Sequence, residues 1–252
     1  MGARRYWRLP MRSQGALPGV FCSVFLMFAA VSSGLAQNIS GIFITPVPNA
    51  PFTGVIKVDR TIVRSDGTVE SLRTVRDTAR DSQGRIYNVF RALVPAGFAG
   101  TPPTIRIHFY DPQTRNYAYL YPNQHTYTTG TVNHSPAAEP ADLIASPAGN
   151  STPLNQFTKE QDLGTQSIEG ITAHGVRETQ TIPNSTGSEV VLTDEYWYSD
   201  DLHMNVMVKH DDPRKGSVTM TLTQSTRTDP DPSLFQIPEG YKPAANAMAR
   251  AQ

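Results

Sequence analysis

The sequence predicts an all-β, mainly antiparallel protein, and three observations carry that expectation. From Gly54 onward, short runs rich in β-branched and aromatic residues recur, each bounded by turn residues. Several of these runs alternate apolar with polar side chains, the period of a strand with one buried face. No window keeps a helical period for more than about two turns.

Residues 37–53 form an extended leader, because Pro46, Pro48 and Pro51 oppose a helix. Val55–Val63 is the first strand, and Ser65-Asp66-Gly67 turns it into the more polar Val69–Ala79. Asp81-Ser82-Gln83-Gly84 is a hairpin loop in which Gly84 supplies a left-handed backbone, and Arg85–Val94 is the return strand. In Thr104–Tyr110, Ile105, Ile107 and Phe109 alternate with Arg106 and His108, so the apolar set shares one face. Asp111–Thr114 and Pro122-Asn123 turn the chain into Tyr117–Tyr121 and His125–Thr129.

Residues 130–156 break the pattern. They hold Pro136, Pro140, Pro147 and Pro153 among small and polar residues, and cannot bury much apolar surface. They are either a linker between two domains or a flexible loop interrupting a single β domain over residues 54–241; the single domain is the working expectation. Beyond them Gln161–Ile168, Ile171–Ile182, Glu189–Tyr198, Leu202–His210 and Ser217–Thr228 read as successive strands. Short helical turns are expected at Asp231–Phe235 and around 153–161, and residues 242–252 form a disordered tail.

The N-terminus reads as an export signal. Arg4, Arg5, Arg8 and Arg12 precede an apolar run from Ala16 to Val31, and Gly34 and Ala36 stand three and one before a cleavage point. An uncleaved anchor is the alternative, but Pro18 and Gly19 interrupt the run. Cleavage after Ala36 leaves 18 basic against 22 acidic residues, a net charge of −4. That balance argues against a nucleic-acid partner held by bulk charge. It also removes Cys22, the single cysteine, so stability rests on a packed core rather than on disulfides. The expected product is a soluble protein of the periplasm or the extracellular space, not an integral membrane protein.

The stretch Asp162–Arg177 (DLGTQSIEGITAHGVR) resembles a block found in a family of uncharacterised exported bacterial β-rich proteins. The resemblance continues through Thr181-Ile-Pro183, Glu195-Tyr-Trp-Tyr-Ser199, Asp212-Pro-Arg-Lys-Gly216 and the closing Asp231-Pro-Ser-Leu-Phe235 to Tyr241. Arg80-Asp-Ser-Gln-Gly-Arg85 and the stretch from Ile107 to Pro122 look like its first half. That family is similar in strand layout to the outer-membrane lipoprotein carriers. The resemblance implies a curved antiparallel sheet, an open half-barrel whose apolar concave face is partly covered by short helices.

Candidate site residues come in two groups. Tyr117, Tyr119 and Tyr121 share one face of a short strand, with an apolar body and a polar tip that suit a hydrophobic or sugar ligand; ordinary cross-strand packing is the favoured reading of them. Met204, Val206, Val208, Met220 and Leu222 line one face of two adjacent strands and serve either as the wall of a ligand site or as plain core. Tyr196, Trp197 and Tyr198 are consecutive, so they cannot all line one cavity.

His203, His210, Asp211 and Asp212 offer metal-ligand types, but seven strand positions part the two histidines by roughly 23 Å, so no metal is expected there. His108 and His174 have no partner nearby in sequence. There is no Gly-x-Ser-x-Gly elbow and no phosphate-cradling glycine loop, and the adjacent acid pairs point apart. The residues imply no cofactor. The expected function is non-enzymatic binding of a lipid, a lipidated chain or another hydrophobic ligand on the concave face. A structural or protein-interaction domain, and more remotely a hydrolase using distant acids, are the alternatives.

Overall fold

In β1 (Phe52–Val63) every second residue turns inward: Phe52, Gly54, Ile56 and Val58 are buried while Lys57 and Asp59 reach solvent. Burying Phe52 and Ile56 stabilises the fold by about 1.5–3 kcal/mol for each side chain. The computed structural model describes residues 41–132, 157–183 and 189–244. The expected export signal, most of the expected 130–156 loop and the tail beyond residue 244 lie outside them.

The remaining strands are β2 (Val69–Arg80), β3 (Ile86–Arg91), β4 (Val94–Pro95), β5 (Thr104–Tyr110), β6 (Asn116–Tyr121) and β7 (Thr126–Thr131). After the undescribed segment come β8 (Thr158–Ile168), β9 (Ile171–Pro183), β10 (Glu189–Ser199), β11 (Met204–Asp212), β12 (Gly216–Thr226) and β13 (Lys242–Pro243). All thirteen belong to one open sheet, in the order β13-β7-β6-β5-β3-β2-β1-β12-β11-β10-β9-β8, with β4 paired to β2. Every pairing is antiparallel except β13 on β7. The architecture is the expected all-β, mainly antiparallel one, a single open sheet.

The two halves of the chain meet where β1 pairs with β12, from Thr53↔Thr226 to Arg60↔Val218. The register carries one face across the sheet, joining Ile56 to Leu222 and Val58 to Met220, and Met220 in turn to Val208. In the other direction the same face passes from Phe52 to Arg80, Ile86, Tyr110 and Tyr117. We refer to it as the inner face.

Several boundaries differ from expectation, and four of the differences have an evident cause. The strand expected over Arg85–Val94 is two, because after Arg91 the chain leaves β5 and Val94–Pro95 returns to pair with Arg73 and Leu72 of β2. The helical turn expected around 153–161 is strand from Thr158 onward, since the paired ladder with β9 begins there. Lys242 and Pro243, expected in a disordered tail, pair with Thr126 and Tyr127. Gly130 and Thr131, placed in the loop, still pair with Tyr117 and Asn116 of β6.

The leader is extended, as its prolines require, but it is also a buried strap. Ile42 and Ile44 are 2% and 7% exposed while Phe43 between them is 64% exposed, so the strap presents alternate side chains to the core. Its carbonyls are held by Arg80, a fully buried arginine whose Nη1 donates to Thr45 O at 2.7 Å and Nε to Ala50 O at 2.8 Å. Nη2 donates to Leu202 O at 2.7 Å, and Thr45 Oγ1 donates to His203 O at 2.7 Å. Gly84, at φ +84°, sits under the strap, where a Cβ would come within 3.0 Å of Pro46 O. The helical cover implied by the resemblance is not what the described residues show: their helical content is two 3-10 turns, Pro122–Gln124 and Pro232–Phe235. Irregular straps take that place.

Candidate functional site

Strand β6 pairs with β5 and β7, so Tyr110, Tyr117 and Gly130 stand in one row across the inner face, and His108, Tyr119 and Thr128 in the next. The Tyr117 ring lies over Gly130, where any Cβ would overlap it, so glycine is required for the ring to lie down on β7. Tyr119 stacks on His108 with ring centroids 4.7 Å apart and packs at an angle against Tyr117 at 5.4 Å. Tyr121 is half-buried and pairs with Thr126 on the same face.

Beside this row opens a cleft of about 600 Å³. The residues that border it include Phe109 and Ala118, whose side chains take the face opposite the Tyr110–Tyr117–Gly130 row, the edge of that row itself, and Phe235 and Ile237 of the C-terminal segment. Asp231 makes that segment turn: its side chain accepts from Ser233 N at 2.9 Å, which starts the 3-10 turn that delivers Phe235. Phe235 is anchored beneath Arg85, whose guanidinium lies 4.5 Å from the ring centre. The polar lining includes Asn116, Thr129 and Thr131, with Arg85 and Asp111 as the charged groups. Arg85 is paired to Asp81 at 2.6 Å, and Asp111 accepts from Gln113 N at 2.8 Å within its own turn.

Farther along the inner face, Phe90 of β3 is flanked by Arg76 of β2 and Arg106 of β5, at 4.7 and 4.6 Å from its ring centre. Arg106 also lies 5.0 Å over the Tyr119 ring. Burial, followed by the charge of Arg106, lowers the pKa of Arg76 and brings that of His108 down to about 4. His108 is therefore a neutral ring at physiological pH.

The second group of expected site residues lies elsewhere. Met204, Val206 and Leu222 are 0% exposed and Val208 is 2%, all in one buried cluster with Ile42 and Ile44 of the strap. Met220 packs against the same cluster, partly buried. A ligand would reach this wall only by displacing the leader. Tyr196, Trp197 and Tyr198 are all buried, and the ladder to β11 slips by one residue between Trp197 and Tyr198. Of the metal-type residues, His210 Nδ1 donates to Asp194 Oδ1 at 2.7 Å, and His203 is in a left-handed turn before β11. Asp212 is engaged by Arg214 at 3.0 Å. Among the described residues no three metal-ligating side chains converge. His174, without a partner nearby in sequence, lies 3.2 Å from Asp162 across the β8–β9 pair.

No protein-family model and no curated protein matches the sequence. Solved structures do align with it over much of its length, at low identity and low TM-score. The chain aligns with a component of the Pseudomonas aeruginosa MucA/MucB complex at 12% identity and a TM-score of 0.38, covering 82% of this chain and 60% of that one. A LolA-superfamily protein from Nitrosomonas europaea aligns at 10% identity and a TM-score of 0.32, over 75% of this chain and 91% of that one. The Mycobacterium tuberculosis lipoprotein LppX aligns at 17% identity and a TM-score of 0.26, over 79% and 94%. These are likenesses of general layout, and the functional reading below rests on the site.

Sequence reasoning missed Arg76, Phe90, Arg106 and His108 as a group. Alternation in β5 set Arg106 and His108 on the face opposite the apolar set and gave them no partner. Instead Ile105 is 53% exposed, and Arg106 and His108 are half-buried against aromatic rings. The signal that could have found them is the aromatic content of the neighbouring strands: a cation opposite Phe or Tyr has a reason to lie flat on the sheet.

Proposed function

We propose that this chain is an exported, non-enzymatic binding protein of the periplasm or extracellular space, and that it holds a lipid or similar amphipathic ligand in the cleft between β5–β7 and the C-terminal segment. The observation that carries this reading is the cleft itself. Its volume of about 600 Å³ is that of a small-molecule site, and its lining combines aromatic and aliphatic groups with hydroxyls and an amide. Tyr117 is among the residues that border it, and Tyr119 and Tyr121 are not.

Two features weigh against the alternatives. Asp111 is the carboxylate that lines the cleft, and its Oδ1 is committed to turn hydrogen bonds, so the lining lacks the facing acid pair of a glycosidase. The outer edge strand β8 carries Lys159, Glu160 and Asp162 and a bulge between Asp162 and Gly164, devices that oppose pairing with another chain's strand.

Native mass spectrometry of the chain from Gln37 onward, purified from an exporting host without detergent, tests the proposal. Adducts of lipid mass that organic extraction removes are expected, and Thr129→Trp, which fills the cleft from an exposed position, is expected to lower their occupancy severalfold. A clean apoprotein that also takes up no added lipid would refute ligand binding and favour an interaction domain.

A further inference from the structure

Buried and half-buried arginines in this fold have partners of two kinds. Arg85, Arg91 and Arg177 pair with Asp81, Asp77 and Glu195. Arg73 and Arg80 donate to backbone carbonyls. Arg76 and Arg106 are half-buried too, yet neither has a carboxylate within ion-pair distance or a hydrogen-bond acceptor among the described residues. Both belong to the inner face, Arg76 in register with Ile56 and Arg106 with Phe90. That face of β3, β5, β6 and β7 carries no carboxylate among the described residues. Asp77 takes the other face of β2 and is paired with Arg91, while Glu70, at the start of β2, is paired with Arg64.

The surroundings are aromatic instead. Arg76 and Arg106 lie 4.7 and 4.6 Å from the centre of the Phe90 ring between them, and Arg106 lies 5.0 Å over Tyr119. Two like charges in partly desolvated surroundings repel, and ring contacts offset that only in part. A guanidinium that meets a ring with its face keeps its N–H groups, which lie in its plane, for an acceptor. β2 and β5 are two strand spacings apart, roughly 10 Å, with both guanidiniums drawn toward the ring between them. A carboxylate has oxygens for one such fork, whereas a phosphate has oxygens for two.

We propose that Arg76 and Arg106 form a phosphate site on the inner face, a second binding site separate from the cleft. The sheet itself divides the two: Phe109 and Ala118, which border the cleft, alternate with His108 and Tyr119 and so take the other face. The ligand is inorganic phosphate or a phosphate ester whose body lies against the inner-face rings beside the arginines. The site does not depend on what the cleft holds.

Calorimetric titration of the chain from Gln37 onward would compare phenyl phosphate, inorganic phosphate and neutral phenyl glucoside. Both phosphates are expected to bind, and Arg76→Gln and Arg106→Gln are each expected to weaken them about tenfold or more. Arg106→Lys is expected to recover only part of that loss, because an ammonium cannot reproduce the flat fork. A measurement on the unaltered protein guards against misfolded variants: added sodium chloride should weaken both phosphates. The two sites should also come apart. Thr129→Trp should lower lipid occupancy and leave phosphate affinity unchanged, and the arginine variants should do the reverse. Tighter binding of phenyl phosphate than of phosphate would uphold the site and assign it an ester; equal binding would uphold it and assign the free anion. No phosphate bound, glucoside bound as tightly as phenyl phosphate, or phosphate binding that survives both arginine changes would overturn the site. Phosphate affinity lost with Thr129→Trp would overturn its separation from the cleft.

Discussion

Glu178 of β9 lies between two other carboxylates, paired in register with Glu160 on β8 and Asp194 on β10. Its pKa is raised above the ordinary value of 4.5, by burial first and then by the charges of Asp194 and Glu160. Asp194 answers to a different neighbour, His210, at 2.7 Å. A carboxyl with a raised folded-state pKa favours the fold only while it is protonated. Below the unfolded-state pKa both states hold the proton and the effect vanishes; as pH rises through the folded-state pKa, stability is lost. Glu178→Gln is therefore expected to be more stable than the parent at pH 7, by the order of 0.5 kcal/mol after solvent screening. Thermal denaturation from pH 3 to pH 8 should show that advantage shrinking to nothing at the acid end. An advantage that persists unchanged at pH 3 would mean that the glutamine acts through packing instead.

At the scale of elements, the strands were legible and the straps were not. Thr104–Tyr110 was read residue for residue, and Tyr117–Tyr121 and Ile171–Ile182 each to within one, because alternation and flanking turns are local properties of the chain. The leader alternates only in burial: Ile42, Phe43 and Ile44 are all apolar, so no strand period shows in the sequence, and their partners lie far along the chain. Nothing near Arg80 in sequence announces that its guanidinium will meet carbonyls of Thr45, Ala50 and Leu202. The same limit hid the cleft, since Phe235 and Ile237 reach Phe109 and Ala118 only through the fold. Arg80 is thus the fastening of the N-terminal strap, and burial has lowered its pKa to about 10 without discharging it at neutral pH. Arg80→Ala leaves three carbonyls without their donor, each a loss of about 1–3 kcal/mol, so a total of at least ~3 kcal/mol is expected. Chemical denaturation measures that total. Amide exchange should also locate its local part, with the protection of residues 41–50 falling further than that of β11; uniform loss would place the damage in the core rather than in the strap.

The whole molecule turns on one seam. β1 comes from the first half of the described chain and β12 from the second, and their ladder makes a single sheet of both. The strap and Arg80 reinforce that seam, since one side chain on β2 holds carbonyls on either side of the long undescribed segment. The sequence leaves two readings of residues 130–156 open, a linker between domains or a loop within one, and we propose the loop. Unfolding should then be cooperative across both halves, because neither keeps its inner face covered once β1 and β12 separate. The chain offers a clean probe. With Trp7 in the expected signal segment, Trp197 is the sole tryptophan from residue 37 onward, buried in the second half. Far-ultraviolet circular dichroism reports both halves and Trp197 fluorescence reports one, so the two denaturation curves should coincide in midpoint and slope. A tryptophan transition that runs ahead of the dichroism, or lags behind it, would mean that the halves unfold separately and that the β1–β12 ladder is a docking contact between two domains.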